Sequence, residues 1–372
     1  MRKIIFIIML IFFAIFLFSQ VKNPDRPLRG KWDFQVKNEW EIENAGNDVF
    51  GDIQNICSAK DGRIYILDSK NFKIYIFNKE GEFISSFGRK GEGPGEIRNF
   101  RSGEQLFVVD NTIIYADRGR IHYFSLDGTY KKTCIVPTQL KPRTFVSEDA
   151  FISAPAYVTD HSNKSAKIKL YNIKDQTENT ITEYRPFEKA EDTKESGGQR
   201  VTIGIVISNV TPLMFVKYRS DNVFYGMSDS YKINIVDLKG KKRGGFSVEN
   251  RKQKDVSKKF KEELTKELGD IPQDMAKNIL NGLPDKASFF QNIVIDRKGL
   301  IYVFVSDPDK TSLQAIDIFS PEGKYLYSSE FKVKEGLSIY NIHLKDDLLV
   351  IAEEDEEGEF KVAKYLIKLP SL

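Results

Sequence analysis

The stretch from Asp61 to Glu96, DGRIYILDSKNFKIYIFNKEGEFISSFGRKGEGPGE, constrains what this chain can fold into more than any other. It holds three short segments, Arg63–Leu67, Lys73–Asn78 and Phe83–Phe87, rich in Ile, Tyr and Phe, the residue types that fit a pleated surface. Turn formers separate them. Asp61-Gly62 opens the first, Ser69-Lys70-Asn71 ends it, and Lys79-Glu80-Gly81 precedes the third, where Gly supplies the positive φ of a tight hairpin. The pattern is a meander of antiparallel strands. A single meander cannot bury both faces, so it requires either a sandwich or a ring of repeats.

The repeats are present. Phe77 and Gly81 recur as Phe124 and Gly128 in TIIYADRGRIHYFSLDGTYKKTCIV, where Tyr115, Asp117, Ile121 and Tyr123 answer to Tyr65, Asp68, Ile74 and Tyr75. A third, degenerate copy has Ala150–Pro155 and Ile168–Asn172 as its middle strands and a long loop carrying Asp160, His161 and Lys164. A fourth places Tyr225, Ile233, Ile235 and Gly240 in the same roles, and a fifth Asp296, Gly299, Tyr302, Phe319 and Gly323. The last, from Ser338, has three strands before the chain ends, and a strand near Trp32 or Trp40 can supply the fourth. Pairing that early strand into the last unit closes a ring without leaving edges. The expectation is an all-β, six-bladed β-propeller.

At 372 residues the chain exceeds one ordinary compact core, which suits a repeat array. Its N-terminus, MRKIIFIIMLIFFAIFLFSQ, puts Arg2 and Lys3 before an unbroken apolar run from Ile4 to Phe18, the layout of a secretory signal peptide. Ser19 suits the position before a cleavage site and Leu17 does not, so an uncleaved N-terminal anchor is the competing expectation. No Cys follows the run, against a lipoprotein anchor. Residues 1–20 are therefore read as leader, 21–30 as a Pro- and charge-rich linker, and 31–372 as the propeller, placed in the periplasm, outside the cell or in the cell envelope. Without Arg2 and Lys3 the formal charge of +3 falls to +1, which argues against a nucleic-acid partner. Cys57 and Cys134 both sit in strand-like segments, and whether they pair stays open.

Between the fourth and fifth units the period changes. Val256, Phe260, Leu264 and Leu268 recur every four residues after Asp255, a candidate N-cap, and Gly269 follows; a second helix, Pro272–Asn281, sets Met275 and Ile279 on one face. This helical insert, about 253–283, either covers one end of the ring or acts as a lid or a docking helix pair.

The blade DGRIYILDSKNFKIYIFNKEGEFISSFG resembles the NHL-type repeat, and GRKGEGPGEI, with NGLPDKASFFQNIVIDRKGLIYV, is similar to the extracytoplasmic six-bladed β-propeller proteins of bacteria. The resemblance covers nearly all the chain after the leader. It implies an NHL/TolB-like propeller and little about function, because propellers host both binding and catalysis.

Strand order predicts where loops lie. In a blade of strands a to d, the b-to-c loops and the connections between blades leave from one face, and the short a-to-b and c-to-d hairpins from the other. The first set holds the elaborations: Gly88–Asn99, Arg118–Arg120, the His161 loop, Arg185–Asn209, the helical insert and Glu353–Glu359. The loop-rich face is where activity is expected.

Candidate residues are few. Arg89, Lys90, Arg98, Arg118 and Arg120 can form a basic patch able to hold an anionic group. GRKGEGPGE is glycine-rich but lacks the Gly-Lys-Ser/Thr ending of a phosphate-binding loop and runs into a strand. Glu353, Glu354 and Asp355 offer hard oxygen ligands to Ca²⁺ without the alternating spacing of a Ca²⁺ loop. His122, His161 and His343 are too scattered for a His-based metal centre, and His122 reads as a packing residue. No catalytic residue stands out. Two classes of function follow: a monomeric binding propeller with no cofactor, presenting its loop-rich face to a peptide, glycan or protein, or a Ca²⁺-dependent hydrolase or lyase with its site at the central channel.

Overall fold

The computed structural model describes residues 20–98, 105–117, 119–155, 165–186, 192–196, 199–203, 210–268 and 273–371. Residues 1–19 of the leader, Arg118, and the loop with Asp160, His161 and Lys164 lie outside the described residues.

Six sheets of four or five strands follow one another along the chain, beside two two-stranded ribbons. The first blade comprises Ile53–Ser58, Ile64–Asp68, Lys73–Phe77 and Phe83–Phe87, each antiparallel to the next. The others begin with their innermost strands at Gln105–Val109, Pro142–Ser147, Met214–Arg219, Phe290–Ile295 and Leu337–Lys345. This is a six-bladed β-propeller. The last blade takes Lys37–Ile42 as its outer strand, paired with Phe360–Leu366. Trp40 is thus the ring-closing residue, whereas Trp32–Val36 forms no strand.

The repeated Gly is needed twice over. In blade 1, Gly81 sits at φ +87°, and a Cβ there would lie 2.7 Å from the Trp40 ring of blade 6. Gly128 of blade 2 meets Phe87 of blade 1 in the same way, and Gly323 of blade 5 meets Phe246 of blade 4, a Cβ falling at 2.5 and 2.7 Å respectively. These three c-to-d hairpins therefore each receive a ring from the outer strand of the preceding blade, so the residue that makes the turn also permits blade-on-blade packing. Hydrophobic clusters fill the spaces between blades, for example Ile53, Ile64, Ile66, Tyr75 and Phe77 against Val350, Ala352 and Val362 across the closing seam.

The segment read as a linker is bound. Val21–Asn23 pairs in parallel with Phe246–Val248, the outer strand of blade 4. Asn23, 4% exposed, accepts from the Tyr325 amide at 2.8 Å and donates to the Gly323 carbonyl at 2.8 Å, both in blade 5. The amides of Leu28, Arg29 and Trp32 then donate to Tyr325, Leu326 and Ser328 carbonyls before the chain enters blade 6. These residues strap the outer edges of blades 4 and 5 and supply hydrogen bonds that the edges lack.

The helical insert contains α1, Lys258–Glu267, and α2, Gln273–Asn281. Its N-cap is Ser257, whose hydroxyl accepts from the Phe260 amide at 3.0 Å, and not Asp255, which bonds Lys286 instead. Val256, Leu264, Leu268, Ala276 and Ile279 form a core with Val210 and Ala287. Cys57, on the innermost strand of blade 1, and Cys134, on the outer strand of blade 2, are both free thiols.

Candidate functional site

The innermost strands of the six blades surround an axial channel holding a cavity of about 540 Å³. Blades 1, 2 and 5 contribute amides and apolar groups to its wall, including Asn55, Gln105, Phe107, Asn292 and Val294. The other three contribute basic side chains: Arg143 from blade 3, Lys217 and Arg219 from blade 4, His343 and Lys345 from blade 6. No Asp or Glu is among the described residues of the wall.

Strand geometry orders these groups. Residues two apart on a strand point to the same side, so Lys217 with Arg219, and His343 with Lys345, form one-sided pairs. Both pairs line the one cavity. Beside burial, Lys345 and then Lys217 lower the pKa of His343, while Asp346 acts to raise that of Lys345 and Lys60 and Arg219 to lower it. Burial is the larger cause and pushes Lys217 and Lys345 below the ordinary lysine range; Arg143 lowers Lys217 further. Lys345 donates to the Ser58 carbonyl at 2.7 Å, and His343 Nε2 lies 2.9 Å from Ser58 Oγ. Arg143 gives its Nε hydrogen to the Ala154 carbonyl at 2.7 Å. Arg219 and Lys345 end their strands at short hairpins, on the face opposite the elaborated loops.

The basic residues singled out from the sequence are placed otherwise. Arg89 pairs with Glu96 at 2.7 Å, Arg98 with Glu92 at 2.6 Å, and Arg120 with Asp117 in a buried pair. Lys90 lies over the Phe72 ring, 5.2 Å from its centre. Three of the four described members are thus committed to neighbouring carboxylates, and Arg120 also donates to the Glu92 carbonyl at 2.9 Å, fastening the glycine-rich connection to blade 2. The pairs hold that loop in place.

The acidic trio does not converge. Glu353 is 1% exposed, its Oε1 accepting from the Tyr365 hydroxyl at 2.9 Å, and burial raises its pKa. Asp355 accepts from the Glu357 and Glu359 amides at 2.9 Å within its hairpin, and Glu354 falls on the opposite side of the strand from both. Among the described residues, no group of three or more His, Cys, Asp or Glu is placed to hold a metal ion. His122 is fully buried, with Nδ1 2.8 Å from Thr133 Oγ1 and its ring stacked on Tyr115.

The sequence reading missed the channel residues. The signal was present in MFVKYR and NIHLK, where basic side chains alternate on the strand nearest the axis, while the innermost strands of blades 1, 2 and 5 carry none.

A family model described as a six-bladed β-propeller, DUF5128, matches residues 45–269. A solved structure of a Bacteroides fragilis protein inferred to be exported superposes with a TM-score of 0.53 at 15% identity, covering 95% of this chain and 99% of its own. A DUF4221 member from Bacteroides vulgatus gives 0.55 at 10% identity, covering 91% and 98%. At these identities the likeness is one of fold. No curated protein matches the chain significantly.

Proposed function

This chain belongs to the DUF5128 family of six-bladed β-propellers, and on that footing we propose that it is an exported binding protein whose ligand is held in the axial channel. The observation that carries this reading is the channel wall, where basic and amide side chains converge from several blades on a cavity of about 540 Å³ without a carboxylate among its described residues. Pockets of this size take small molecules or the end of a longer chain. The elaborated loops of the opposite face are then free to present a second surface to a peptide, glycan or protein. Export is supported by the leader-like N-terminus and by the fold shared with a protein itself inferred to be exported. Among the described residues no helix is long and apolar enough to cross a membrane.

A Ca²⁺-dependent hydrolase or lyase at the same place would need several hard anionic oxygens. The donors of the described wall do not fit: ammonium and guanidinium groups repel the ion, and the amides alone supply no charge.

The test is native mass spectrometry of the full chain for a non-covalently held small molecule, repeated on Val294→Trp, which narrows the channel. Retention by the wild type and loss in the variant supports the reading. Stoichiometric Ca²⁺ with hydrolytic turnover contradicts it.

A further inference from the structure

We infer that the channel is a site for a small ligand bearing two anionic groups, gripped between Lys217 and Arg219 of blade 4 and Lys345 of blade 6. The inference rests on the reading of the channel as a binding site and names its ligand class.

Two cations of the wall carry charge that no described side chain answers. The side chains of Lys217 and Arg219 make no hydrogen bond or ion pair with any described residue, and the Lys345 ammonium bonds only a neutral carbonyl. At the hairpin rim Asp346 accepts from the Arg297 amide at 3.1 Å and acts on Lys345 from a distance without bonding it, and Asp221 accepts from the Tyr218 hydroxyl at 3.0 Å. Cations drawn out of water without a counter-charge are costly, and a bound anion removes that cost in a cavity whose walls strengthen the attraction.

The arrangement also sets the number of charges. Lys217 and Arg219 fall on one side of their strand about 7 Å apart, two residues of strand rise, and Lys345 lines the same cavity from blade 6, so the cations form two rungs. One anionic group answers one rung. A ligand with two answers both, and Arg219 adds a planar fork suited to carboxylate or phosphate oxygens. Both chemistries satisfy the rungs.

The experiment is calorimetric titration of the full chain at pH 7 in 50 mM salt with glutarate, pyrophosphate, acetate and glucose. Glutarate or pyrophosphate is expected to bind at least about tenfold more tightly than acetate, the stronger of the two naming carboxylate or phosphate as the source. Lys217→Gln with Arg219→Gln should weaken that binding at least about tenfold, Lys217→Arg should retain it, and 0.5 M salt should weaken it markedly. Because the double variant can lose its fold, acetylation of Lys217 in the wild type supplies a second readout, which the bound dianion should slow. Dianion affinity unchanged in a folded double variant overturns the inference. So does protection of Lys217 by glucose and by neither dianion, an outcome that leaves the channel as a binding site. If none of these solutes binds or protects Lys217 while native mass spectrometry finds a neutral molecule in the channel, the inference fails and the binding reading stands.

Discussion

Lys345, on the innermost strand of the last blade, donates to the carbonyl of Ser58 on the innermost strand of the first, 2.7 Å away. Ser58 Oγ in turn lies 2.9 Å from His343 Nε2, two residues before Lys345. The seam that closes the ring is therefore also the channel wall that carries two of its basic groups. Architecture and candidate site share the same hydrogen bonds.

The acid stability of the protein should depend on His343. Burial first, then the ammonium groups of Lys345 on its own strand and Lys217 across the channel, push its pKa from the ordinary 6.5 down to about 3, and Ser58 from blade 1 is its hydrogen-bond partner. The unfolded chain binds this proton below the ordinary value while the folded chain stays neutral almost to the lower one. Stability is thus lost as pH falls through that window. Urea midpoints at pH 7.5 and 4.5 should fall further for the wild type than for His343→Gln. Equal falls would show that His343 is not held neutral.

Glu353 should act with the opposite sign. Burial raises its pKa above the ordinary carboxylate value, so the folded state favours the protonated acid, and its contribution to stability is lost as pH rises from there. Glu353→Gln keeps an acceptor for the Tyr365 hydroxyl and should flatten the stability profile between pH 4.5 and 8 relative to wild type. A variant profile parallel to wild type would contradict the buried, raised carboxyl.

Gly81→Ala should cost about 2 to 3 kcal/mol, from a side chain forced to positive φ and a Cβ driven into Trp40. Trp40 also donates its indole hydrogen to the Lys79 carbonyl at 3.1 Å, so removing the ring has its own cost. In a double-mutant cycle, Gly81→Ala should be less damaging in a Trp40→Ala background, the remainder being the strain of positive φ. Strict additivity would mean that the ring and the turn are not in contact.

Much of the fold was legible because three blades repeat the same physical need. The hairpin that makes the third-to-fourth strand turn must also admit a neighbour's side chain, so Gly81, Gly128 and Gly323 recur in step with Phe77, Phe124 and Phe319. The ring-closing strand could be placed by counting what the last copy lacked. The site was not legible in the same way. Arg89, Arg98 and Arg120 looked like a patch because the carboxylates that neutralise them, Glu96, Glu92 and Asp117, were not weighed beside them. Lys217, Arg219, His343 and Lys345 lie on innermost strands, the part of each blade with the weakest repeat signature, and they come together only when the ring closes blades 4 and 6 around one axis. The strap escaped notice because a segment rich in Pro and charge can satisfy an edge with its backbone alone.

Asn23→Ala should test that strap. Its side chain answers the Tyr325 amide and Gly323 carbonyl in a buried position, so truncation leaves both unpaired and should cost about 2 kcal/mol by denaturant unfolding. Asn23→Asp keeps the acceptor and loses the donor, and should fall between. A variant as stable as wild type would mean that residues 20–30 do not hold blades 4 and 5.

The central claim is that the channel holds anions between blades 4 and 6. A crystal of the full chain soaked in tungstate, a heavy dianion located directly by its anomalous scattering, tests this with least interpretation. The account predicts a peak inside the channel within hydrogen-bond reach of Lys217 or Arg219 on one side and Lys345 on the other. Tungstate bound only on the outer surface, with nothing between those strands, would contradict it.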